Sequence, residues 1–303
     1  MKTLLATDGS PEATNALRIA TRLLRRAGNE FHVLCVAPEF YQQQPEAKKK
    51  TGRLRAEYER RIIRETKAIL ERAQGTLREE GIEASTRSAS GSPARVIVNL
   101  AGEYNVTVLG ATSKYDKTRP GIGSVASRVV EHAPGVVLIA RELTAGSTLR
   151  ILACVDGSSA SESALSALIK YFNYGSAEIT LIHVVETPWV NLGLDRDWLT
   201  ESEASREEYR PELEMEGELK VEAEDVVESA RELLTRHGLS VTTLVEDGNP
   251  ATVIMGQADT GEYDFILVGA TGASDAKHAM LGSVSAKVAA QAPCSVIVVK
   301  DEV

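Results

Sequence analysis

The sequence has few of the residues that disulfides, metal centres or membrane spans require. Only three of its 303 residues are cysteines, and none are in CxxC spacing. Cys35, Cys154 and Cys294 each lie in or beside an apolar strand pattern, so we expect buried structural thiols. The five histidines form no HExxH or other paired-ligand pattern. No apolar run approaches the roughly 20 residues of a membrane-spanning helix. MKTLLATDGS at the start is too short for a signal peptide, and we expect a cytoplasmic protein.

Basic residues are scarce in the second half of the chain. Residues 1–146 contain 23 Lys and Arg against 16 Asp and Glu, a net charge of +7, whereas residues 147–303 contain 11 against 27, a net charge of −16. The overall charge of −9 disfavours nucleic-acid binding. Opposite charges would favour docking of the two halves, or of one protomer on another. The alternative is that the charges of two solvated surfaces have drifted apart without a functional reason.

The chain is an internal duplication. Five sequence blocks recur in the same order, with a spacing between copies that grows from 148 to 157 and then 159 residues. The paired blocks are 4–10 with 151–158, 33–36 with 181–184, 91–94 with 248–251, 108–112 with 267–271, and 123–125 with 282–284. The growing spacing indicates longer connections in the middle of the second copy.

Each copy alternates short apolar segments with amphipathic ones. This pattern predicts strands near 3–7, 31–37, 82–89, 105–110 and 136–141, and near 150–155, 178–185, 240–246, 264–269 and 295–300. Helical patterns lie between them. Such alternation is typical of a parallel sheet covered on both faces, and right-handed crossovers make that sheet doubly wound. We therefore predict two α/β, Rossmann-like domains in tandem, at residues 1–143 and 149–303, joined near Gly146.

The second helix of each copy differs in charge. In the first copy it covers about 53–80, preceded by Lys48, Lys49 and Lys50, and in the second we place its counterpart at about 195–225, which is rich in Glu. We expect solvated faces there, with a dedicated partner site as the alternative. Trp189 and Trp198 lie in or beside the acidic stretch, and we expect simple packing rather than a role in capping a pocket.

Gly-rich turns follow the first and fourth strands of both copies, and a Gly-Ser pair opens the last helix of each. Ligands of open parallel sheets bind at the carboxyl ends of the strands. A helix N-terminus there attracts an anion, with roughly half an elementary charge. Glycine permits close approach of the backbone to a phosphate. The alternative role of each Ser is an ordinary helix cap.

The second copy resembles the universal stress protein family. It reads Gly269-x2-Gly272-x9-Gly282-Ser283, similar to the family's nucleotide loop, and the other blocks extend the resemblance over essentially the whole chain. The resemblance implies a tandem member with adenine-nucleotide α-hydrolase-like domains. It also implies an ATP site, possibly with Mg²⁺, whose residues in the second copy are Asp156, Val184, Gly269, Gly272, Gly282, Ser283 and Val284.

The first copy departs from the family loop. It reads Gly110-x2-Ser113-x9-Gly123-Ser124, so that a serine stands in place of the second glycine. Its side chain could crowd a phosphate, and Cys35 stands where the family usually has histidine. The corresponding site residues are Asp8, Val36, Gly110, Ser113, Gly123, Ser124 and Val125. We expect ATP most surely in the second copy and leave the first open.

No catalytic motif accompanies these loops. The chain lacks GxxxxGK[ST] and a carboxylate and histidine spaced to activate water. We therefore expect at most slow ATP hydrolysis, and a nucleotide-dependent stress sensor or scaffold rather than an enzyme. The resemblance also implies that the last strands of the two domains pair with each other. A homodimer and an unidentified protein target are possible further partners.

Two rival functions remain open at this point. In the first, the chain is a protein-interaction module whose Gly and Ser turns are purely structural. In the second, it is an adenylating enzyme of the related α-hydrolase group. That group carries an SGGxDS-like loop after the first strand, which 7–10 and 155–158 do not match. Nucleotide co-purified with the protein would separate the first rival from the nucleotide-binding hypothesis.

Overall fold

A computed structural model describes residues 1–38, 48–112, 121–143, 148–173, 175, 177–193, 203–272 and 281–300. The chain divides into two compact units, the first made mainly of Met1–Leu143 and the second mainly of Thr144–Lys170 and Tyr174–Asp301. Each unit alternates strands and helices along the chain. The predicted α/β class with two doubly wound domains is confirmed.

The first unit contains a parallel sheet. Its strands are β1 (Lys2–Ala6), β2 (Glu30–Ala37), β3 (Ala84–Ser90), β4 (Val106–Gly110) and β5 (Val136–Ala140). They lie in the order β3-β2-β1-β4-β5. Leu5 of β1 pairs with Val33 of β2 on one side and with Val108 of β4 on the other. The direction in which the chain adds strands therefore reverses between β1 and β4, which opens a crevice at their carboxyl ends.

The second unit repeats this sheet in the same register. Its strands are β6 (Leu149–Cys154), β7 (Ala177–Val185), β8 (Ser240–Asp247), β9 (Phe265–Gly269) and β10 (Ser295–Val299). The order within the unit is β8-β7-β6-β9-β10. Ala153 of β6 pairs with Leu181 and with Leu267, which are the sequence equivalents of the partners of Leu5. The duplication seen in the sequence is thus a duplication of strand pairing.

The core of each unit includes its last strand, β5 or β10. All residues of β5, β9 and β10 are buried, as expected for strands covered by helices on both faces. The third strand of each unit differs from the expectation of an apolar segment. In β3, with the sequence ASTRSAS, most residues are exposed, and in β8 none is buried. These two strands therefore contribute little to the core.

Helices connect the strands. In the first unit they are α1 (Pro11–Leu24), α2 (Lys48–Glu79), α3 (Pro93–Ala101) and α4 (Ser124–His132). In the second they are α5 (Ser159–Tyr171), α6 (Pro188–Leu192), α7 (Glu203–Glu208), α8 (Arg210–Arg236), α9 (Pro250–Asp259) and α10 (Ser283–Gln291). In the first unit α1 packs on α2 and α3 on α4. No helix within the described residues is long and apolar enough to cross a membrane.

Local sequence explains where the helices begin. Proline stands at the start of α1, α3 and α9, where its missing N–H and fixed φ suit the first helical turn. Ser10 caps α1 by accepting a hydrogen bond from the N–H of Ala13 at 3.1 Å. Asn249 caps α9 through the N–H of Thr252 at 3.2 Å. These caps orient the helices that flank each crevice.

Candidate functional site

Each unit contains a cavity at the carboxyl ends of its strands. The cavity of the first unit has a volume of about 490 Å³ and that of the second about 370 Å³. In both, the walls come from the turn after the first strand, the ends of the second and fourth strands, and the start of the last helix. The two cavities therefore occupy the position that the strand order predicts for a ligand.

The structure brings nearly all described candidate residues together. In the second unit, the cavity is lined by all seven: Asp156, Val184, Gly269, Gly272, Gly282, Ser283 and Val284. In the first unit it is lined by Asp8, Val36, Gly110, Gly123 and Val125. Ser124 begins α4 but is not among the lining residues. Ser113 lies outside the described residues.

The aspartate after the first strand is held by its own turn. Asp8 Oδ1 accepts a hydrogen bond from the N–H of Ser10 at 2.9 Å. Asp156 Oδ1 accepts from the N–H and the hydroxyl of Ser158 at 3.1 and 2.5 Å. Such turns fix the carboxylate at the edge of the cavity. Ser10 and Ser158 also cap their helices through the N–H groups of Ala13 and Ser161, so these two serines fill the ordinary capping role.

The glycines that end the fourth strands have a packing role. A Cβ atom on Gly269 would lie 2.7 Å from the backbone carbon and oxygen of Ala160 in α5. A Cβ atom on Gly110 would lie 3.1 Å from the backbone carbon of Glu12 in α1. Both glycines let a helix N-terminus approach the strand end. The sequence analysis assigned these glycines to the close approach of a phosphate or, in the rival hypothesis, to a structural turn, and neither interpretation included this contact with a helix.

Gly272 lines the second cavity beside Asp156. A Cβ atom there would lie 3.1 Å from Oδ2 of Asp156. Its absence keeps space beside the carboxylate that the family resemblance assigns to adenosine. This is the position at which the first copy has Ser113.

The last helix of each unit presents its N-terminus to the cavity. The cap residues of α4 and α10 are Gly123 and Gly282, and neither helix start has a side-chain cap hydrogen bond. The N–H groups of Gly123 and Gly282 donate hydrogen bonds to the carbonyl oxygens of Ala111 and Ala270, at 2.7 and 2.6 Å, respectively. The N–H groups of the first helical turn have no intrahelical partner and carry the positive end of the helix dipole. An anion is the ligand that this arrangement favours.

The long second helix of each unit supplies a wall that the sequence analysis missed. In α2 this wall includes Ile62, Glu65, Thr66 and Ile69, beside Tyr58 and Arg61, and in α8 it is made by Leu219, Glu222, Ala223 and Val226. The four positions correspond one to one at a spacing of 157 residues. Consistent with this, Ile69 and Val226 are the side chains nearest to a Cβ built on Gly9 and Gly157, respectively, the glycines of the two Asp-Gly-Ser turns.

The sequence interpretation of these helices was therefore wrong about the bounds of the second helix. It was incomplete about the faces of both, although most of their described charged residues are exposed as expected. The counterpart of α2 is α8, which begins at Arg210 and ends at Arg236, and not the segment at 195–225. One face of each helix lines the cavity and is not simply solvated. The spacing i, i+3, i+4, i+7 of these residues could have identified the buried face in the sequence. The glutamate at the second of the four positions made the pattern resemble that of a solvated face.

The two cavities differ in charge. The described charged residues that line the first are Asp8, Glu65 and Arg61, and Arg61 Nε lies 2.9 Å from Glu65 Oε1. The second is lined by Asp156, Glu186 and Glu222 together with His183, and its described lining contains no lysine or arginine. The complete glycine loop thus belongs to the more acidic cavity.

His183 is the second-unit counterpart of Cys35. Its Nδ1 lies 2.9 Å from the carbonyl oxygen of Val155. Burial lowers the pKa of His183, and this effect outweighs the opposite effects of the Val155 carbonyl, Asp156 and Glu222. The imidazole is therefore neutral at pH 7 and donates its Nδ1 proton to Val155.

The cysteines behave largely as expected. Cys35 and Cys294 are buried, whereas Cys154 is half-buried and lines the second cavity. Burial, reinforced by Asp156 and Cys294, raises the pKa of the Cys154 thiol well above its usual value. A thiol that stays protonated is a poor nucleophile and a poor metal ligand. Within the described part of the chain, no group of three His, Cys, Asp or Glu residues could hold a metal ion.

Comparison with known proteins places the duplication in a family. The model of the universal stress protein family matches this chain twice, at residues 1–141 and 148–300. The universal stress protein YxiE of Bacillus subtilis is 32% identical over 154 residues, which is 50% of this chain and 98% of that protein. The universal stress protein MJ0531 of Methanocaldococcus jannaschii is 29% identical over 152 residues, 50% of this chain and 81% of that protein.

A solved structure extends the likeness of fold to both units. A universal stress protein from Archaeoglobus fulgidus superimposes with a TM-score of 0.64 at 20% identity, covering 99% of this chain and 96% of that one. At this identity the comparison concerns the fold alone. It matches the tandem arrangement of two α/β domains.

Proposed function

The chain belongs to the universal stress protein family and carries the family domain twice; from this premise we propose that it binds an adenine nucleotide, with ATP most surely in the second domain. The observation that carries the proposal is the composition of the second cavity. It unites Asp156, Val184, the glycines of the loop and the start of α10 at one crevice of the sheet.

Each part of this cavity suits one part of the nucleotide. The uncapped N-terminus of α10, with Gly282 and Ser283, offers backbone N–H groups and a hydroxyl to phosphate oxygens. Asp156 and Val184 are the residues that the family resemblance assigns to adenosine. Gly272 leaves the space beside Asp156 that a side chain would fill. A volume of about 370 Å³ lies within the usual range of ligand pockets, roughly 300–1,000 Å³.

We propose that Mg²⁺ accompanies the phosphates. The described residues hold no cluster able to bind a metal by themselves. The three carboxylates that line the second cavity fit a cation shared with ATP, since Mg²⁺ in nucleotide sites takes substrate phosphates, water and one or two carboxylates as ligands. When bound, the ion would offset the negative charge of the phosphates.

The biological role that we propose is that of a stress-response sensor or scaffold whose state depends on nucleotide. Binding would stabilise the nucleotide-bound form by a free energy that rises with the logarithm of ligand concentration above the dissociation constant. Turnover is not needed for such a role, and we expect at most slow hydrolysis. The chain would then report nucleotide level through its shape or its partners.

The direct test is thermal unfolding of the full chain with and without ATP. ATP should raise the unfolding temperature, and a ligand at about 100 times its dissociation constant adds roughly 2.7 kcal/mol. Gly272→Val, which fills the space beside Asp156, should abolish most of this protection. Ser283→Ala should reduce it, because a hydroxyl at the start of α10 is lost.

The matched control is Gly256→Val, since an added Cβ at Gly256 meets nothing within 4 Å and the residue does not line the cavity. This variant should keep the full ATP effect, whatever its own stability. If ATP protects neither the natural chain nor the control, nucleotide binding is wrong and the interaction-module hypothesis gains. If ATP protects Gly272→Val and Ser283→Ala as well as the natural chain, the site assignment is wrong.

A further inference from the structure

We propose that the two cavities select among adenine ligands by ligand charge: the second disfavours phosphate groups that lack a counter-ion, whereas the first tolerates a polyphosphate. This inference rests on the proposed nucleotide function and refines it. It assigns a role to the exchanges of charge at the two cavity walls, which the family resemblance does not address.

The helical walls of the two cavities are equivalent. The long helices α2 and α8 contribute the same four positions to their cavities, so Glu65 and Glu222 are structural counterparts. The same spacing of 157 residues makes Glu218 the counterpart of Arg61. At the end of the second strand, the spacing of 148 residues makes Glu186 the counterpart of Pro38.

The glutamate of the second cavity wall lacks the neighbouring arginine that the first wall has. In the first domain Arg61 lies 2.9 Å from Glu65, and this neighbour raises the pKa of Arg61 further. In the second domain a glutamate occupies the position of that arginine. Glu218 and Glu222, one helical turn apart, border the same open groove beside the cavity, where like charges repel each other. Glu186 adds a further carboxylate where the first cavity has a proline.

A nearby cation could restore the balance. Lys220 lies on α8 between Glu218 and Glu222 in sequence, but its Nζ atom is 2.8 Å from Glu216 and 2.9 Å from Asp247. His183 is held neutral by burial at pH 7. Lys277 and His278 lie outside the described residues. The test therefore compares variants of one chain, in which any contribution of these two residues is constant.

Coulomb's law gives the expected size of the effect. Glu186 and Glu222 are exposed at the cavity, so water and salt weaken their field. A surface carboxylate within about a Debye length of a phosphate should lower affinity on the order of two- to fivefold. The effect grows with the number of phosphate charges and is absent for a neutral ligand. Charge selection is thus distinguishable from loss of shape.

The experiment is isothermal titration of the full chain with adenosine, AMP and ATP, at low salt and with a chelator of divalent cations. Neutralising the second cavity with Glu186→Gln and Glu222→Gln together should raise ATP affinity about five- to twentyfold. AMP should gain less, and adenosine should change less than about twofold. Adding Mg²⁺ should shrink the gain for ATP, because the ion already offsets the phosphate charge.

The matched control is the pair Glu178→Gln and Glu224→Gln. Both residues are exposed and lie in the second domain, but neither lines the cavity. The change in net charge is the same as in the cavity variant, but neither carboxylate lines the cavity, so the gain in ATP affinity should be clearly smaller than that of Glu186→Gln with Glu222→Gln. Circular dichroism of every variant verifies folding, and Glu222→Gln alone serves if the double variant is unstable.

A reciprocal variant tests the first cavity. Arg61→Glu places there the residue that the second domain has, and it should lower ATP affinity at the first cavity while adenosine is unaffected. Equal gains for ATP and adenosine in the second-cavity variant, or no gain for ATP, would overturn charge selection. If the natural chain binds neither adenosine nor any nucleotide, the proposed function itself fails, which is a separate result.

Discussion

At the scale of single residues, the glycines of the loops have several distinct roles. The sequence predicted that Gly110 and Gly269 lie at the cavities, and they do. It did not show that both are also required by the approach of a helix backbone. Packing and ligand approach each exclude a Cβ atom, so the residue type alone does not separate them. The three-dimensional neighbours of each glycine do.

Replacement of Gly269 by alanine tests this packing role. The new Cβ atom would lie 2.7 Å from the backbone of Ala160, where no flexible side chain can move away. We expect a loss of about 1–3 kcal/mol in the free energy of unfolding, measured by urea denaturation without ligand. Gly256→Ala is the control, because its Cβ meets nothing within 4 Å and alanine suits a helix interior better by about 1 kcal/mol.

A stability of Gly269→Ala equal to that of the natural chain would contradict the close helix approach. The comparison needs no nucleotide, so it separates the structural contribution of the glycine from any contribution to binding.

The serines of the loops also have different roles. Ser10 and Ser158 are caps, whereas Ser283 begins a helix that has no side-chain cap.

At the scale of secondary structure, the positions of the strands along the chain were predictable and the faces of the long helices were not. Short, almost wholly apolar segments such as β4 and β9 are predicted as buried strands from their sequence alone. The faces of α2 and α8 combine apolar residues with Glu65 or Glu222, and such a pattern also fits a solvated helix. Only the packing of the helix over the Asp-Gly-Ser turn reveals which face lines the cavity.

The helix α8 also holds the short helix α6 through a buried carboxylate. The side chain of Glu216 is 4% exposed. Its Oε2 accepts a hydrogen bond from Trp189 Nε1 at 3.1 Å, and its Oε1 lies 2.8 Å from Lys220 Nζ. Trp189 is itself buried and packs edge-on against Tyr209, with ring centroids 6.4 Å apart. Trp189 is therefore packed in the interior as expected, but its hydrogen bond to Glu216 was not predicted.

Neutralising Glu216 should weaken this attachment. Glu216→Gln keeps the shape but removes the negative charge that pairs with Lys220 and accepts the hydrogen bond from Trp189. Hydrogen bonds to charged groups contribute roughly 1.5–3 kcal/mol each. We expect a loss of about 1–2 kcal/mol in the free energy of unfolding, measured by urea denaturation at pH 7. Glu218→Gln makes the same chemical change at an exposed position of the same helix and should stay within about 0.5 kcal/mol.

Equal stability of these two variants would show that the Trp189 and Lys220 contacts contribute nothing to the fold. The pair of variants is informative because both residues lie in α8, two positions apart. Glu218 differs from Glu216 in exposure and in partners, and not in residue type or helix.

At the scale of the whole chain, the duplication is more faithful in the backbone than in the side chains. The register of strand pairing is the same in both units, and both place a cavity at the same crevice. The charge asymmetry was visible in the sequence as +7 against −16. Its consequence at the cavities was not, because it depends on which few of the charged residues line them.

The central claim is that the chain binds an adenine nucleotide and that Gly272 belongs to one of its sites. Native mass spectrometry of the full chain, purified without added nucleotide and then titrated with ATP and Mg²⁺, tests it most directly. We expect bound adenine nucleotide on the natural chain and one equivalent fewer on Gly272→Val. A natural chain that carries no nucleotide and gains none on titration, or a Gly272→Val variant with undiminished stoichiometry, would contradict it.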